Sequence, residues 1–572
     1  MMIPLPARFD KLQFVAAAAT CDLVSTYDKL KFVEPRSPVV VLYQSIQSMK
    51  SHILIILLLL ATTQPLVAQP TNPAQAWWQH IQFLADDKMA GRDTGSAEHR
   101  KAAEYIAAAF KRAGLKPAGT KGYWQPVNFV SRQVQENECS LALIRNGQAE
   151  SIALGDEAVF SMRIAHAPRV EAPLVFIGYG LTIPEAKHDD VAGLDLKGKV
   201  VVLLTGGPPE ISGPLKAHYQ SHRWEALQRA GVIGVMQIQN PRGQDIPWDR
   251  SKLARFRPSM GLVDAALSGA SGQQLAVTFN SMRAEKLFAG SGHTFAEILA
   301  LADKGEALPH FALPASVRAQ VKFESKKLKS HNVVGMLPGT DPTLKNEYVV
   351  LSAHLDHIGT GQPINGDSIY NGAMDNASGI ATLIEAARAL TKTPLRRSVL
   401  FVAVTAEENG LLGSKYFAAR PTVPAQAMVA NVNIDMFLPL FPLRSLIVQG
   451  LEESNLAADL QAVGKEMQLQ ILTDPEPERN AFTRSDQYSF IERGVPSASL
   501  KVGFTKGSPE HEIIKRWRTE RYHAPADDLQ QPVDFQAAAD FNRAYLQIVK
   551  AIANRNERPQ WNQDSFFRRF AH

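Results

Sequence analysis

Cysteine is nearly absent. The 572 residues hold two, Cys21 and Cys139, which excludes a fold built on a disulfide framework. Charge of one sign is not in excess either: 61 basic and 56 acidic residues leave a net +5. No basic run is interleaved with aromatics, so a nucleic-acid surface is not expected. Long hydrophobic runs are also lacking. The apolar stretch Ile53–Leu60 is well short of the roughly 20 residues needed to span a bilayer. No internal repeat or low-complexity tract is found. What is present is an ordinary globular composition, 45% hydrophobic and 20% charged, in a chain with room for more than one core.

That apolar stretch follows Met49-Lys50-Ser51-His52 and precedes Ala61-Thr62-Thr63-Gln64-Pro65-Leu66-Val67-Ala68. A charged start, a short apolar centre and a small residue at the end are the pattern of a secretory signal. The expectation is a signal peptide over 49–68, cleaved after Ala68, with 1–48 an untranslated or disordered extension and Met49 the true start. A rival signal ending Ala18-Ala19-Thr20-Cys21 is weaker, because its apolar run starts beside Lys11. Export would place the protein in the periplasm or outside the cell, with no stable membrane insertion after cleavage. Only Cys139 would remain, so no intramolecular disulfide could form.

Beyond the signal, Ser96–Leu115 reads as an amphipathic helix with Ser96 as N-cap, Ala103, Ile106, Phe110 and Ala113 at helical spacing, and Gly114 at the stop. From about Ala167 short β-branched runs, Leu174–Ile177 and Val200–Leu204, are separated by glycines, which predicts a small β-rich domain. His188-Asp189-Asp190, in a polar stretch with no third ligand nearby, is expected to be a solvated loop. Trp224–Ala230 reads as a helix and Gly231–Met236 as a buried strand. Regular alternation begins near Asn332: strand Tyr348–Ala353, helix Ala377–Leu390, strand Ser398–Thr405, helix Leu411–Ala419, strand Ala427–Ile434. Such alternation predicts an α/β fold, a mostly parallel mixed sheet with helices on both faces. The expected division is 69–160 as the N-terminal part of this domain, 161–320 as an inserted β-rich domain, 321–560 as its catalytic part and 561–572 as a tail.

Ligands in open α/β sheets gather beyond the carboxyl ends of the strands. The residues there are His354-Leu355-Asp356-His357, Ala406-Glu407-Glu408-Asn409 and Asp435, with Asp375 opening a helix and Tyr522-His523 far downstream. Each alone has a bland explanation: a cap, a solvated turn, a structural histidine. At consecutive strand ends of one domain, together they indicate a metal site. Mixed imidazole and carboxylate ligands suit zinc, and a carboxylate can bridge two ions.

These motifs, His354-x-Asp356, Met374-Asp375-Asn376-Ala377-Ser378-Gly379, Glu407-Glu408, Asn433-Ile434-Asp435-Met436 and Tyr522-His523, resemble the co-catalytic zinc aminopeptidases of metallopeptidase family twenty-eight. Leu84–Gly95 with Arg92, and Ala113-Gly114-Leu115-Lys116-Pro117, look like the N-terminal part of bacterial members. Val175-Phe176-Ile177-Gly178-Tyr179-Gly180 and Asp195-Leu196-Lys197-Gly198-Lys199-Val200 look like a protease-associated domain.

The resemblance implies two zinc ions, one held by His354, Asp375 and Asp435, the other by Asp375, Glu408 and His523. It makes Glu407 the general base and Asp356 the acceptor of a hydrogen bond from His354. It makes Tyr522 a donor to the oxyanion and the Asp375–Asn376 peptide cis. The substrates would be peptides with a free N-terminus. Gln487 stands where the family often has His, which predicts a change of pocket polarity. Arg484 and Asp486 line the substrate site or form a surface salt bridge. A glutaminyl cyclase, a carboxypeptidase or dipeptidase, and a non-catalytic binding module on the same scaffold are the alternatives.

Overall fold

Two sheets organise the chain. The computed structural model describes residues 73–243 and 246–571, so the expected extension 1–48 and signal 49–68 lie outside the described residues. All of the described residues fall in one unit, Pro70–His572.

The larger sheet has ten strands. At its centre Ser398–Val404, Tyr348–His354, Met428–Asn433 and Ser497–Val502 run parallel. Antiparallel strands flank this centre: Phe323–Leu337, then Trp124–Val134, then Ser259–Leu262 on one side, and Ser445–Gln449 on the other. Strands 398–404 and 428–433 are buried along their whole length, as expected where helices cover both faces. Successive residues alternate between two cores. Val349, Leu351 and Ala353 pack with the helices Pro73–Leu84, Ala97–Ala113, Ser378–Leu390 and Phe535–Asn554. Val350, Leu400 and Val402 pack with Phe417 and Phe490 from the opposite side.

The predicted helix at 96–115 is observed as Ala97–Ala113. Ser96 Oγ accepts from the His99 N–H at 3.0 Å, and Gly114 takes φ 91° to end it. Gly can adopt that left-handed backbone without the penalty a Cβ brings.

The smaller, eight-stranded sheet has its own apolar core. Its boundary differs from the expected 161. The hairpin Ser140–Arg145 and Gln148–Ser151 belongs to it, because Ser140–Ile144 pairs antiparallel with Ser316–Gln320 and Leu141 and Leu143 enter its core. Asn146 and Gly147, both at positive φ, form the tight turn, a signal that was readable in the sequence. The insertion leaves through Trp124–Val134 and returns through Phe323–Leu337. These strands pair from Val134 opposite Phe323 onward, so it hangs on a two-stranded stem. It is not self-contained, since Ser259–Leu262 crosses back to pair with Trp124–Val134.

His188-Asp189-Asp190 is not a solvated loop. Asp190 is buried, its carboxylate 3.0 Å from His188 Nε2 and 3.3 Å from His310 Nε2, and it accepts from the Leu181 N–H. His310 comes from a strand far along the chain, and so could not be counted as a neighbour from spacing. No described helix is long and apolar enough to cross a membrane.

Candidate metal centre

The carboxyl ends of the parallel strands converge on one buried cluster. His354 ends its strand. Ala406, at φ 56°, turns the chain after Ser398–Val404 so that Glu407 and Glu408 face it. Asp375 sits in a tight segment entered through Gly372, at φ 62°. A Cβ on that glycine would lie 2.2 Å from the Asp375 carbonyl and 2.4 Å from His357 Cγ, so only glycine fits. The Asp375–Asn376 peptide is cis.

Asp375 lies between two imidazoles. His354 Nε2 is 3.2 Å from its Oδ1, and His523 Nε2 is 3.3 Å from its Oδ2. His354 Nε2 is also 3.5 Å from Asp435 Oδ1, and His523 Nε2 is 3.1 Å from Glu408 Oε2. The five residues expected to bind metal therefore meet at one place. Glu407 lies beside His354 and Asp435, their ligand atoms within 4.8 Å of one another.

His357, to which the sequence assigns no role, joins the cluster. Its Nδ1 is 2.6 Å from Glu408 Oε1 and 3.9 Å from Asp375 Oδ2. Its place in the motif, three residues after His354, was the available signal.

Asp356 differs from its expected contact. Its backbone carbonyl, not its carboxylate, lies 3.1 Å from His354 Nδ1. The carboxylate instead accepts from the Glu407 and Glu408 N–H groups at 3.2 and 3.3 Å. The tight loop turns the carboxylate toward the neighbouring strand end, where two free backbone donors are available. Tyr522 packs its ring on His523, centroids 3.9 Å apart.

Gln487 is buried. Its Oε1 accepts from Asn433 Nδ2 at 2.8 Å and its amide donates to the Phe482 carbonyl at 2.9 Å. It braces the strand that leads to Asp435 rather than setting pocket polarity. Asp486 is fully buried, against a surface salt bridge, while Arg484 lines the cavity beside Glu407 and Tyr522.

Two further residues position the cluster. Asp527 accepts from the Met374 and Asp375 N–H groups at 2.9 and 3.0 Å, clamping the bridging segment. Arg92 is buried and donates to the carbonyls of Leu84, Leu355, Asn371 and Gly372 at 2.5 to 3.0 Å. It thereby ties the N-terminal segment to two of the loops that carry ligands, those of His354 and Asp375. Burial pushes its pKa down to about 10 against the pull of Asp527, Asp356 and Asp375.

Buried carboxylates and imidazoles converge here. Burial would raise Asp375 and Glu408, yet the facing histidines hold both carboxyls well below their usual range. Burial raises Glu407 well above its usual range, opposed by His354 and reinforced by Asp486 and Asp435. His357 Nε2 is buried without a hydrogen bond, and His357 Nδ1 and Glu408 Oε1 have only each other, at 2.6 Å. Under-satisfied polar atoms and converging like charges of this kind are costly unless a metal satisfies them. The donor set fits divalent ions, in two triads: His354, Glu407 and Asp435, and His357, Asp375 and Glu408.

Residues 332–549 match Peptidase family M28. The chain carries an M28 peptidase domain. Among curated relatives of this domain, a probable leucine aminopeptidase 2 of Aspergillus oryzae is 28% identical over 278 residues, 44% of this chain and 53% of that protein. Aminopeptidase YwaD of Bacillus subtilis is 29% identical over 221 residues, 37% of this chain and 44% of that protein. The chain spans about half the length of the curated relatives it matches. An aminopeptidase from Aneurinibacillus sp. strain AM-1 shares the fold, with a TM-score of 0.53 at 22% identity over 85% of this chain and 95% of that one. The M28 match starts at Asn332, on the returning strand of the stem. The inserted domain and the Arg92 segment therefore lie outside it.

A cavity of about 780 Å³ opens over the M28 centre. Glu407, Glu408, Tyr522 and His523 form its floor, and Arg163, His218 and His222 of the inserted domain face them.

Proposed function

We propose that the chain is an exported, zinc-dependent aminopeptidase that hydrolyses the N-terminal residue of peptides. The observation that carries this reading is Asp375 set between His354 and His523, with the carboxyl of Glu407 beside it. Two zinc ions, with His354, Asp375 and Asp435 on one and Asp375, Glu408 and His523 on the other, would polarise the scissile carbonyl and acidify a water molecule. His357 would add to the second set. Glu407, the remaining carboxylate within reach, would act as the general base, taking a proton from the attacking water and returning it to the leaving amine. Asp356 holds Glu407 and Glu408 in place through their backbone N–H groups. Tyr522, which lines the cavity beside His523, would donate to the oxyanion.

The names of the relatives, leucine aminopeptidase and aminopeptidase, support this reading. Export rests on the signal pattern over 49–68, and the protease-associated character of the insertion on its glycine-flanked motifs.

A second reading draws on a further cavity of about 630 Å³ beside His357 and Glu408, lined by Arg163, Arg223 and Arg257. Such a basic wall suits a peptide with acidic residues or a free carboxylate, as a carboxypeptidase would need. Zinc-loaded protein incubated with aminoacyl-arylamides, N-blocked controls and C-blocked peptides separates the two. Release of free amino acid from unblocked substrates alone supports the aminopeptidase. Cleavage of N-blocked peptides would sink it.

A further inference from the structure

The insertion carries two histidines at helical i, i+4 spacing, His218 within the helix Gly213–Ser221 and His222 at its C-cap. Their rings lie 4.5 Å apart. Facing them is Glu492, from the C-cap of the helix Gln487–Ile491 in the peptidase domain. One ligand atom from each of the three lies within 4.8 Å of the others, and His222 Nε2 is 2.6 Å from Glu492 Oε1.

The outer nitrogens are already engaged. His218 Nδ1 is 2.8 Å from the Tyr488 hydroxyl and His222 Nδ1 is 3.0 Å from Glu225 Oε1. Each ring is thus oriented by a partner on Nδ1, and His222 turns its Nε2 toward Glu492. His218 Nε2 has no hydrogen-bond partner among the described residues. A histidine whose second nitrogen meets a carboxylate or hydroxyl is the arrangement that orients metal ligands and fixes their tautomer. Phe566 and Phe570 pack against His218 and shield one side. Arg569, the nearby cation on the C-terminal segment, is paired with Glu185.

The geometry points to a second metal site, separate from the catalytic cluster, in which His218, His222 and Glu492 bind one zinc-type divalent cation and staple the inserted domain to the peptidase domain. Two imidazoles and one carboxylate select zinc over calcium or magnesium, which take oxygen ligands. Ligands about 2.0–2.2 Å from a zinc ion stand about 3.4 Å apart in tetrahedral geometry, so His222 Nε2 and Glu492 Oε1, at 2.6 Å, would part slightly as the ion enters between the three side chains. The helix that carries His218 already meets the peptidase domain at its start, where a Cβ on Gly213 would lie 2.9 Å from the Pro477 carbonyl. A metal at its other end would hold the wall of the catalytic cavity, which His218, His222 and Glu492 also line.

The test is metal content of the full chain by inductively coupled plasma mass spectrometry after zinc loading and dialysis. His218→Gln, His222→Gln and Glu492→Gln are each expected to hold one zinc per chain fewer than the wild type, with circular dichroism reporting the fold. Asp375→Asn, aimed at the other centre, should keep this ion. In that background zinc should still raise the thermal midpoint, and adding His222→Gln should abolish the rise. Unchanged zinc content in all three variants would overturn the site. So would a loss of stability without loss of zinc, which marks a plain His222–Glu492 ion pair. Either result leaves the proposed catalytic function standing.

Discussion

Arg92→Lys tests whether the N-terminal segment holds the metal loops in place. The guanidinium makes four hydrogen bonds to main-chain carbonyls from one buried position, to Leu84, Leu355, Asn371 and Gly372. An ammonium is a point donor without the planar fork, so it can reach at most two of these carbonyls together. Two buried acceptors are then left unmet, at about 1–3 kcal/mol each. Main-chain relaxation recovers part of this, leaving a loss of about 3 kcal/mol and a midpoint lowered on the order of 3 °C. Leu355 and Gly372 flank His354 and Asp375, so zinc affinity falls as well. The assays are thermal unfolding by circular dichroism and zinc retention against a chelator. A variant that melts within about 1 °C of the wild type and holds zinc equally well would refute the argument, because the four bonds would then be carrying nothing.

Glu407→Gln should keep its zinc and its melting temperature but lose about 10²–10⁴-fold in kcat, the usual contribution of a positioned proton carrier; near wild-type turnover of an aminoacyl-arylamide would remove Glu407 from that role. Gly372→Ala places a Cβ 2.2 Å from the Asp375 carbonyl on a left-handed backbone that alone costs roughly 1–2 kcal/mol, so zinc binding measured by chelator competition should weaken at least tenfold. In the inserted domain, burial would raise Asp190, but its contacts with His188 and His310 and the Leu181 N–H hold it at about 2. A carboxyl held below its unfolded value of about 4 contributes about 2 kcal/mol at higher pH and loses it as the pH falls through about 2. Asp190→Asn should therefore lower stability by about 2 kcal/mol in urea titrations at pH 6, with the deficit shrinking between about pH 4 and pH 2. His188 is raised by the same pair, and that part is present below about pH 6.5 and fades as the pH rises through its shifted value. A deficit that stays constant down to pH 3 and below would contradict the assignment.

Much of this protein was legible in the order of its residues. The helix at 97–113, the strands 200–204, 348–354 and 398–404 and the helix 378–390 follow from periodicity, capping and β-branched runs, which act between near neighbours. His354, Asp375, Glu407, Glu408 and Asp435 stand out because a parallel sheet must present the ends of its strands at one edge.

The rest was decided at longer range. The hairpin at 140–151 belongs to the inserted domain only because its partner strand, Ser316–Gln320, lies far along the chain. Asp190 is buried because His310 arrives beside it, and Gln487 is a brace because Asn433 does. His357 reaches Glu408, Asp356 turns its carboxylate to the next strand end, and Arg92 spans four segments. None of these contacts is encoded by spacing. Periodicity reports which face a residue occupies, while the partners across a core are chosen by how whole elements pack and by the need to satisfy every buried polar group.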